Sequence, residues 1–322
     1  MSSFGVGRVS SLFVYPMSFD EFLTATGQEG LLRTKRNSSS TNPLPEAFYN
    51  RLVEAFRSYM LVGGMQEVVA TYTETGSYRY SSDIVNEIIQ GYQDDFAKYG
   101  AKANPLLLRQ TLISVAHQAG AKFVYSRVEG QYRSAEVKVA LEMLKDAGLI
   151  IPTYHTDANG VPLGAEINER VVKYLIHDTG VLLGILGIDD DIDDSIKEMM
   201  VADSINLVDK GHVAEMMAGL ELIKYSSPQK RHQLYYWQNM NKGTCAEVDY
   251  VIARSGSIVP IEVKSGVKGS MSSMYSLMRN PQKHIEMGIR CSLENFGTFE
   301  SPDGKKIDII PLYAISNLFA EK

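Results

Sequence analysis

Glu247-Val-Asp-Tyr-Val-Ile-Ala-Arg-Ser-Gly-Ser-Ile-Val-Pro-Ile-Glu-Val-Lys264 is the stretch on which the reading of this 322-residue chain turns. Val248, Tyr250 and Ile252 alternate with Asp249 and Val251, the period of a strand. Arg254-Ser-Gly-Ser257 is turn material, and Ile258 to Val263 is a second strand rich in β-branched residues. Glu262 and Lys264 stand two residues apart and share a strand face. Asp249 lies across the hairpin within reach of both. Two carboxylates suit a hard divalent cation such as Mg²⁺, or Mn²⁺ in its place, with several waters retained. Such a cation lowers the pKa of a bound water and steadies charge on a phosphoryl oxygen, while a lysine orients the nucleophile or offsets developing charge. The plain alternative is a hairpin carrying surface charges.

Composition narrows the class. The chain is 44% hydrophobic and 22% charged, ordinary for globular domains, and its length allows two or three of them. No apolar run approaches the roughly 20 residues that span a bilayer, and Met1 to Arg8 lacks the apolar core of a signal peptide. Two cysteines, Cys245 and Cys291, make a disulfide framework an unneeded assumption, so a cytoplasmic protein with reduced thiols is expected. A net charge of −6 argues against a broadly basic nucleic-acid coat and leaves room for a local groove.

Outward from the hairpin, Gly211 to Leu222 reads as a helix carrying Glu215, with Leu207 and Val208 just before it facing inward. Leu234 to Asn239 precedes the hairpin as a strand. A helix near Ser273 to Met278 and strands at Gly288–Ser292 and Ile307–Ala314 follow. Toward the amino terminus, Leu12 to Tyr15 reads as a short strand ended by Pro16, and Ser18 with Glu21 forms a capping box. Arg33 to Pro43 reads as a loop. Phe48 to Met60 and Ser82 to Phe96 carry helical periodicity, the first stopped by Gly63-Gly64. A helix from Pro105, a second one capped at Ser134, and a strand from Leu149 with a turn at Asp157 to Gly160 outline a winged helix. The second helix mixes Arg133, Lys138 and Lys145 with Glu136 and Glu142, which favours packing or a partner over DNA reading. His177-Asp178 ends the strand that starts at Val171, with Asp178 capping the next segment. Asp189 to Asp194 fails as a calcium loop, because Asp194 stands where glycine is needed and Met200 where glutamate is needed. Lys268, Lys283 and Arg290 are candidate phosphate contacts, with solvated surface charge the plainer alternative.

Asp249 followed by Glu262-Val-Lys264 resembles the signature of the PD-(D/E)XK nuclease superfamily, although Val248 stands where proline is usual. Beyond the hairpin, further stretches resemble a family of prokaryotic AAA-type ATPases ending in domain of unknown function 4143. They are Gly7-Arg8-Val9 with Tyr15 to Phe22, Gly63 to Glu67, Ala147 to Ile150 and Asp178-Thr-Gly180, and they accompany Glu247-Val-Asp249 and Ile261 to Lys264 of the hairpin itself. The resemblance implies an α+β multidomain chain. Its parts would be a remnant of an ATPase core at 1–42, a helical lid at 43–102, a winged helix at 103–170 and an α/β PD-(D/E)XK restriction-endonuclease-like domain at 171–322. It also implies that Glu215 on the opening helix, Asp249, Glu262 and the Val263 carbonyl hold Mg²⁺ or Mn²⁺, with Lys264 positioning water and Glu247 standing behind as an alternative ligand. The family's Walker A loop, Gly-x4-Gly-Lys-Ser/Thr, has no counterpart in this sequence. ATP binding and ATPase activity by that route are therefore not expected, and Arg8 reads as a surface arginine. Two functions follow: a metal-dependent nuclease-like protein directed to DNA, or a non-catalytic module that binds DNA or protein, an oligomer included, in which the acidic cluster is vestigial.

Overall fold

The computed structural model describes residues 10–98, 104–187, 211–239, 246–266 and 269–319. Arg8, Asp189 to Asp194, Leu207, Val208, Cys245 and Lys268 lie outside the described residues. Helices fill the amino-terminal half: α1 Phe19–Ala25, α2 Glu29–Arg36, α3 Glu46–Val62, α4 Gln66–Thr75, α5 Tyr78–Lys98, α6 Pro105–His117 and α7 Ser134–Asp146. Two mixed sheets and α8 Thr179–Ile185, α9 Gly211–Lys224 and α10 Ser272–Arg279 make up most of the rest.

The first sheet runs β2-β1-β3-β4, with β1 Ile150–Thr156, β2 Ile167–Ile176, β3 Leu234–Gln238 and β4 Glu247–Val248. Strands β1 and β2 are an antiparallel pair in which Thr153 faces Lys173. Strand β3 then joins β1 in parallel, Thr153 to Leu234 and His155 to Tyr236, so residues from both halves of the chain share one sheet. The expected boundary between 170 and 171 falls inside the unbroken β2. The second sheet runs β5-β6-β7-β9-β8, with β5 Tyr250–Arg254, β6 Ser257–Val263, β7 Met287–Ser292, β8 Gly297–Glu300 and β9 Lys306–Pro311. Pro311 closes β9, and a 3₁₀ helix, Leu312–Leu318, takes over where a longer strand was expected.

Local chemistry explains most element ends. Ser18 and Glu21 form the expected capping box of α1. Asn104 caps α6 with Pro105 in its first turn. Asp178 caps α8 by accepting from the Val181 N–H, 3.2 Å away, and its other oxygen takes the Gly64 N–H at 2.6 Å. Gly63, at φ +78, passes so close that a Cβ there would sit 2.2 Å from the Asp178 carboxylate. Residues 12–15 do not form the expected strand: only the Phe13 N–H finds a partner nearby, the carbonyl of Pro228, and a strand needs a ladder. Helix α4 was not expected, since Val68, Val69, Thr71 and Thr73 are poor helix formers; packing of Val68 and Val69 into the core overrides that preference.

Helix α9 lies at the centre, buried from Val213 through Ile223. It meets β2, β6, α8 and the terminal 3₁₀ helix. Its far end is tied down by charge. Glu221 accepts from the Tyr59 hydroxyl at 2.8 Å, and Lys224 donates to that same hydroxyl at 2.6 Å. Nearby, Lys35 is fully buried against Asp20 and donates to the Ser316 hydroxyl at 2.7 Å. No described helix is long and apolar enough to cross a membrane.

Candidate active site

The β5–β6 hairpin forms, but its expected first strand is broken at Asp249: Glu247–Val248 belongs to the first sheet and Tyr250–Arg254 to the second. Ser255 and Gly256 both have positive φ, 50° and 77°, which is the two-residue turn that suits strand twist. Tyr250 pairs with Ile261 and Arg254 with Ser257. Alternation then sorts β6: Val259, Ile261 and Val263 enter the large core with α9, while Ile258 enters a smaller cluster that contains α10. Glu262 falls on the face of Ile258.

Asp249 sits at a bend between β4 and β5. Its Oδ2 accepts the Val263 N–H at 2.7 Å, which binds the bend to the end of β6. Lys264 donates to Glu262 Oε1 at 2.7 Å. Glu262 is 5% exposed, and its second oxygen, Oε2, has no partner among the described residues. The three residues singled out in sequence are therefore brought together with Val263. Burial pushes the Glu262 carboxyl up to about 7, and the negative charge of Asp249 adds to the rise against the pull of Lys264. Burial likewise raises the Asp249 carboxyl, opposed by the Val263 N–H and by Lys173 and Lys264.

Glu215 is placed differently. Its Oε1 accepts from Lys173 at 2.8 Å, and the same ammonium reaches Glu247 Oε1 at 2.5 Å. Lys173 is 1% exposed and lies 4.9 Å from the centre of the Tyr236 ring. Burial alone would lower the Lys173 ammonium, but the charges of Glu215 and Glu247 outweigh it and hold the group above its ordinary value. Burial pushes Glu215 up to about 8; Lys173 opposes the rise, and Asp249 and Glu247 add to it. Asp249 thus feels both groups: Glu262 with Lys264 on one side, Lys173 with Glu247 on the other.

Sequence reasoning missed Lys173. The signal was present: a single charged residue inside Val171-Val-Lys-Tyr-Leu-Ile176, a run buried throughout, has to find a partner. Two expected phosphate contacts are committed elsewhere. Lys283 donates to the Asp157 carbonyl and to Asn159 Oδ1, and Arg290 donates to the Gly266 carbonyl and pairs with Glu294. The amino-proximal α7 shows its charged side to solvent, as expected.

The donor set admits a hard cation. Four carboxylates, those of Glu215, Glu247, Asp249 and Glu262, face two ammonium groups, those of Lys173 and Lys264. The balance favours either protons or a divalent ion. Among the described residues no group of three His, Cys, Asp or Glu side chains stands ready as metal ligands. Asp249 and Glu262 with the unpartnered Oε2 are instead a two-carboxylate pair, the kind with which Mg²⁺ keeps several waters. Glu247, 31% exposed, and Lys264, 20% exposed, are the more solvent-accessible members of the cluster, while Glu262 is buried.

Comparison with known proteins finds two regions. Residues 53–192 match the family model described as domain of unknown function DUF8612, and residues 210–315 match that of domain of unknown function DUF4143. No curated protein and no solved structure matches the chain. The hairpin, α9 and the acidic cluster's Glu215, Glu247, Asp249 and Glu262 all lie in the second region, and Lys173 comes from the first; the carboxyl-terminal part of the chain carries domain DUF4143.

Proposed function

We propose that this protein binds one divalent cation, Mg²⁺ or Mn²⁺, through Asp249 and Glu262 with the Val263 carbonyl, and hydrolyses phosphodiester bonds in DNA. The observation that carries the reading is Glu262: buried, paired on one oxygen with Lys264, and unpartnered on the other. A buried acceptor left without a partner costs about 1–3 kcal/mol, and a bound cation removes that cost. When bound, the cation supplies Lewis-acid polarisation of a phosphoryl oxygen and acidifies water. The chain's own residues supply the rest. The Val263 N–H fixes the Asp249 carboxylate, and Glu262 holds the Lys264 ammonium beside the pair, where it can orient water or offset charge on the phosphate. The order α6, α7, then the β1–β2 hairpin supports a winged-helix reading, a module suited to presenting the site to a duplex or a partner.

A second reading, a binding module without chemistry, draws on the ion pairs that Lys173 and Lys264 make with Glu215, Glu247 and Glu262. The two separate in one experiment. Titration calorimetry with Mn²⁺ and cleavage of plasmid and single-stranded DNA are run on the whole chain, Asp249→Asn and Lys264→Met. The nuclease reading expects one Mn²⁺ per chain, lost in Asp249→Asn, and cleavage lost in both variants with the cation retained in Lys264→Met. Cation binding without any cleavage supports the module; no cation binding by the intact chain refutes the metal reading.

A further inference from the structure

Lys173 is the charged group of this cluster that lies outside residues 210–315. It arrives on β2, from the other region of the chain, and is placed by backbone pairing on both sides of its strand. Thr153 faces it in the β1–β2 register, Lys122 bridges to it from the far side, and the Phe123 N–H donates to the neighbouring Val172 carbonyl. Its ammonium then lies between Glu215 Oε1 and Glu247 Oε1 and over the Tyr236 ring. Tyr236 is itself held, buried, with its hydroxyl toward the Val171 carbonyl and its ring edge-on to His155. Two carboxylate oxygens and an aromatic face form a cation-shaped place, and Lys173 fills it.

We propose that the Lys173 ammonium occupies a second cation position, so that Glu215 and Glu247 are withheld from the divalent ion and the site takes one cation, held by Asp249 and Glu262. This deepens the reading above and rests on it. Lys173 is a positioning residue. It touches no reacting atom; it fixes how many cations the acidic cluster accepts and which carboxylates they find. Two-cation sites clamp both the attacking and the leaving oxygen of a phosphodiester, whereas a one-cation site leaves one of those tasks to a protein cation. Lys264 is the group beside the Asp249–Glu262 pair that can take that task. Glu215 and Glu262 each have one oxygen paired with a lysine; the second oxygen of Glu262, buried and without a partner among the described residues, is the acceptor left for an ion.

The test counts Mn²⁺ ions by calorimetry and by the electron spin resonance of free Mn²⁺, on the whole chain, with no substrate present. Lys173→Ala removes the ammonium and leaves room in its place; it is expected to bind two Mn²⁺ where the unaltered chain binds one. Glu215→Gln, made in the unaltered background, is expected to leave Mn²⁺ affinity within about twofold, because the Glu215 carboxylate bonds to Lys173 and to neither Asp249 nor Glu262; losing a ligand, or a side chain that hydrogen-bonds to one, costs about 10–100-fold. A merely structural lysine predicts a lower melting temperature for Lys173→Ala with no extra ion. The inference is overturned if a folded Lys173→Ala binds no more Mn²⁺ than the unaltered chain. If Lys173→Ala does not fold, Glu215→Gln decides: a loss of tenfold or more overturns the inference, and unchanged affinity supports it. Should the unaltered chain bind none and Lys173→Ala bind Mn²⁺, exclusion of the ion by Lys173 is upheld, but the single native cation falls together with the metal reading; binding by neither overturns both.

Discussion

Replacing Glu262 with glutamine separates the site's chemistry from its cost. The carboxyl rises from 4.5 in the unfolded chain to about 7 when folded, through burial first and then the charge of Asp249, with Lys264 pulling the other way. The folded form therefore holds its proton more tightly. The stability this confers is complete below about pH 4.5 and is lost as pH rises through about 7, because the unfolded state releases the proton earlier. Each pH unit inside that window is worth about 1.4 kcal/mol, so between about pH 5 and about pH 8 the loss amounts to roughly 2–3 kcal/mol. Glutamine keeps an oxygen for Lys264 and cannot ionise. In chelator, the stability of Glu262→Gln relative to the unaltered chain should therefore climb by about 2–3 kcal/mol from pH 5 to pH 8. Urea unfolding followed through Trp237, the single tryptophan, reads this directly. The same variant should lose Mn²⁺ binding, and Mg²⁺ should flatten the pH slope of the unaltered chain alone. A relative stability that moves by less than about 0.5 kcal/mol over that range refutes the reasoning.

Other substitutions test the frame that holds the site. Asp20→Ala leaves the fully buried Lys35 without its carboxylate and should cost about 3–5 kcal/mol in urea unfolding. Asp178→Ala frees the Gly64 and Val181 N–H groups together, an expected loss of about 2–4 kcal/mol by the same measurement. A Cβ at Gly219 would lie 2.3 Å from the Tyr250 hydroxyl, which donates to the Glu215 carbonyl at 2.8 Å; Gly219→Ala should lower stability by about 1–3 kcal/mol and weaken Mn²⁺ binding. Burial holds the His177 imidazole below its ordinary 6.5, offset in part by Asp178, so stability is full above that value and falls as pH drops below it; His177→Gln should flatten that acid limb of the urea midpoint.

The hairpin was legible because its residues are local. Asp249, Glu262 and Lys264 lie within a few strand positions of one another, and a period of two fixes their faces without any knowledge of the rest of the fold. Helix α9 was legible for the same reason, but the direction in which Glu215 points was not. That depends on Lys173, which lies 42 residues earlier and is brought in by pairing between strands of different regions. In Val171 to Ile176 every residue is buried, so the alternation that marks an exposed strand face is missing; a lone lysine in that run signals a need for partners, but nothing local says which ones. Helix α4 escaped for a different reason, being assembled by packing against weak local preference. The caps at Ser18 and Asp178 follow from side chains bonding to the nearest backbone and were read from sequence, whereas the cap expected at Ser134 falls one residue earlier, on Arg133.

The parallel pairing of β1 with β3 has a consequence for how this chain can be divided. A fragment covering only the DUF4143 match would keep β3 but lose the strand beside it, and would keep Glu215 and Glu247 but lose their ammonium. Its bare edge would be a template for any passing strand, and its acidic pocket would carry uncompensated charge. What sequence comparison separates into two heritable pieces is, in folding terms, one sheet with a borrowed edge. Recombination that moves the second piece into another protein must also supply a docking strand, with a positive charge at the height of Lys173.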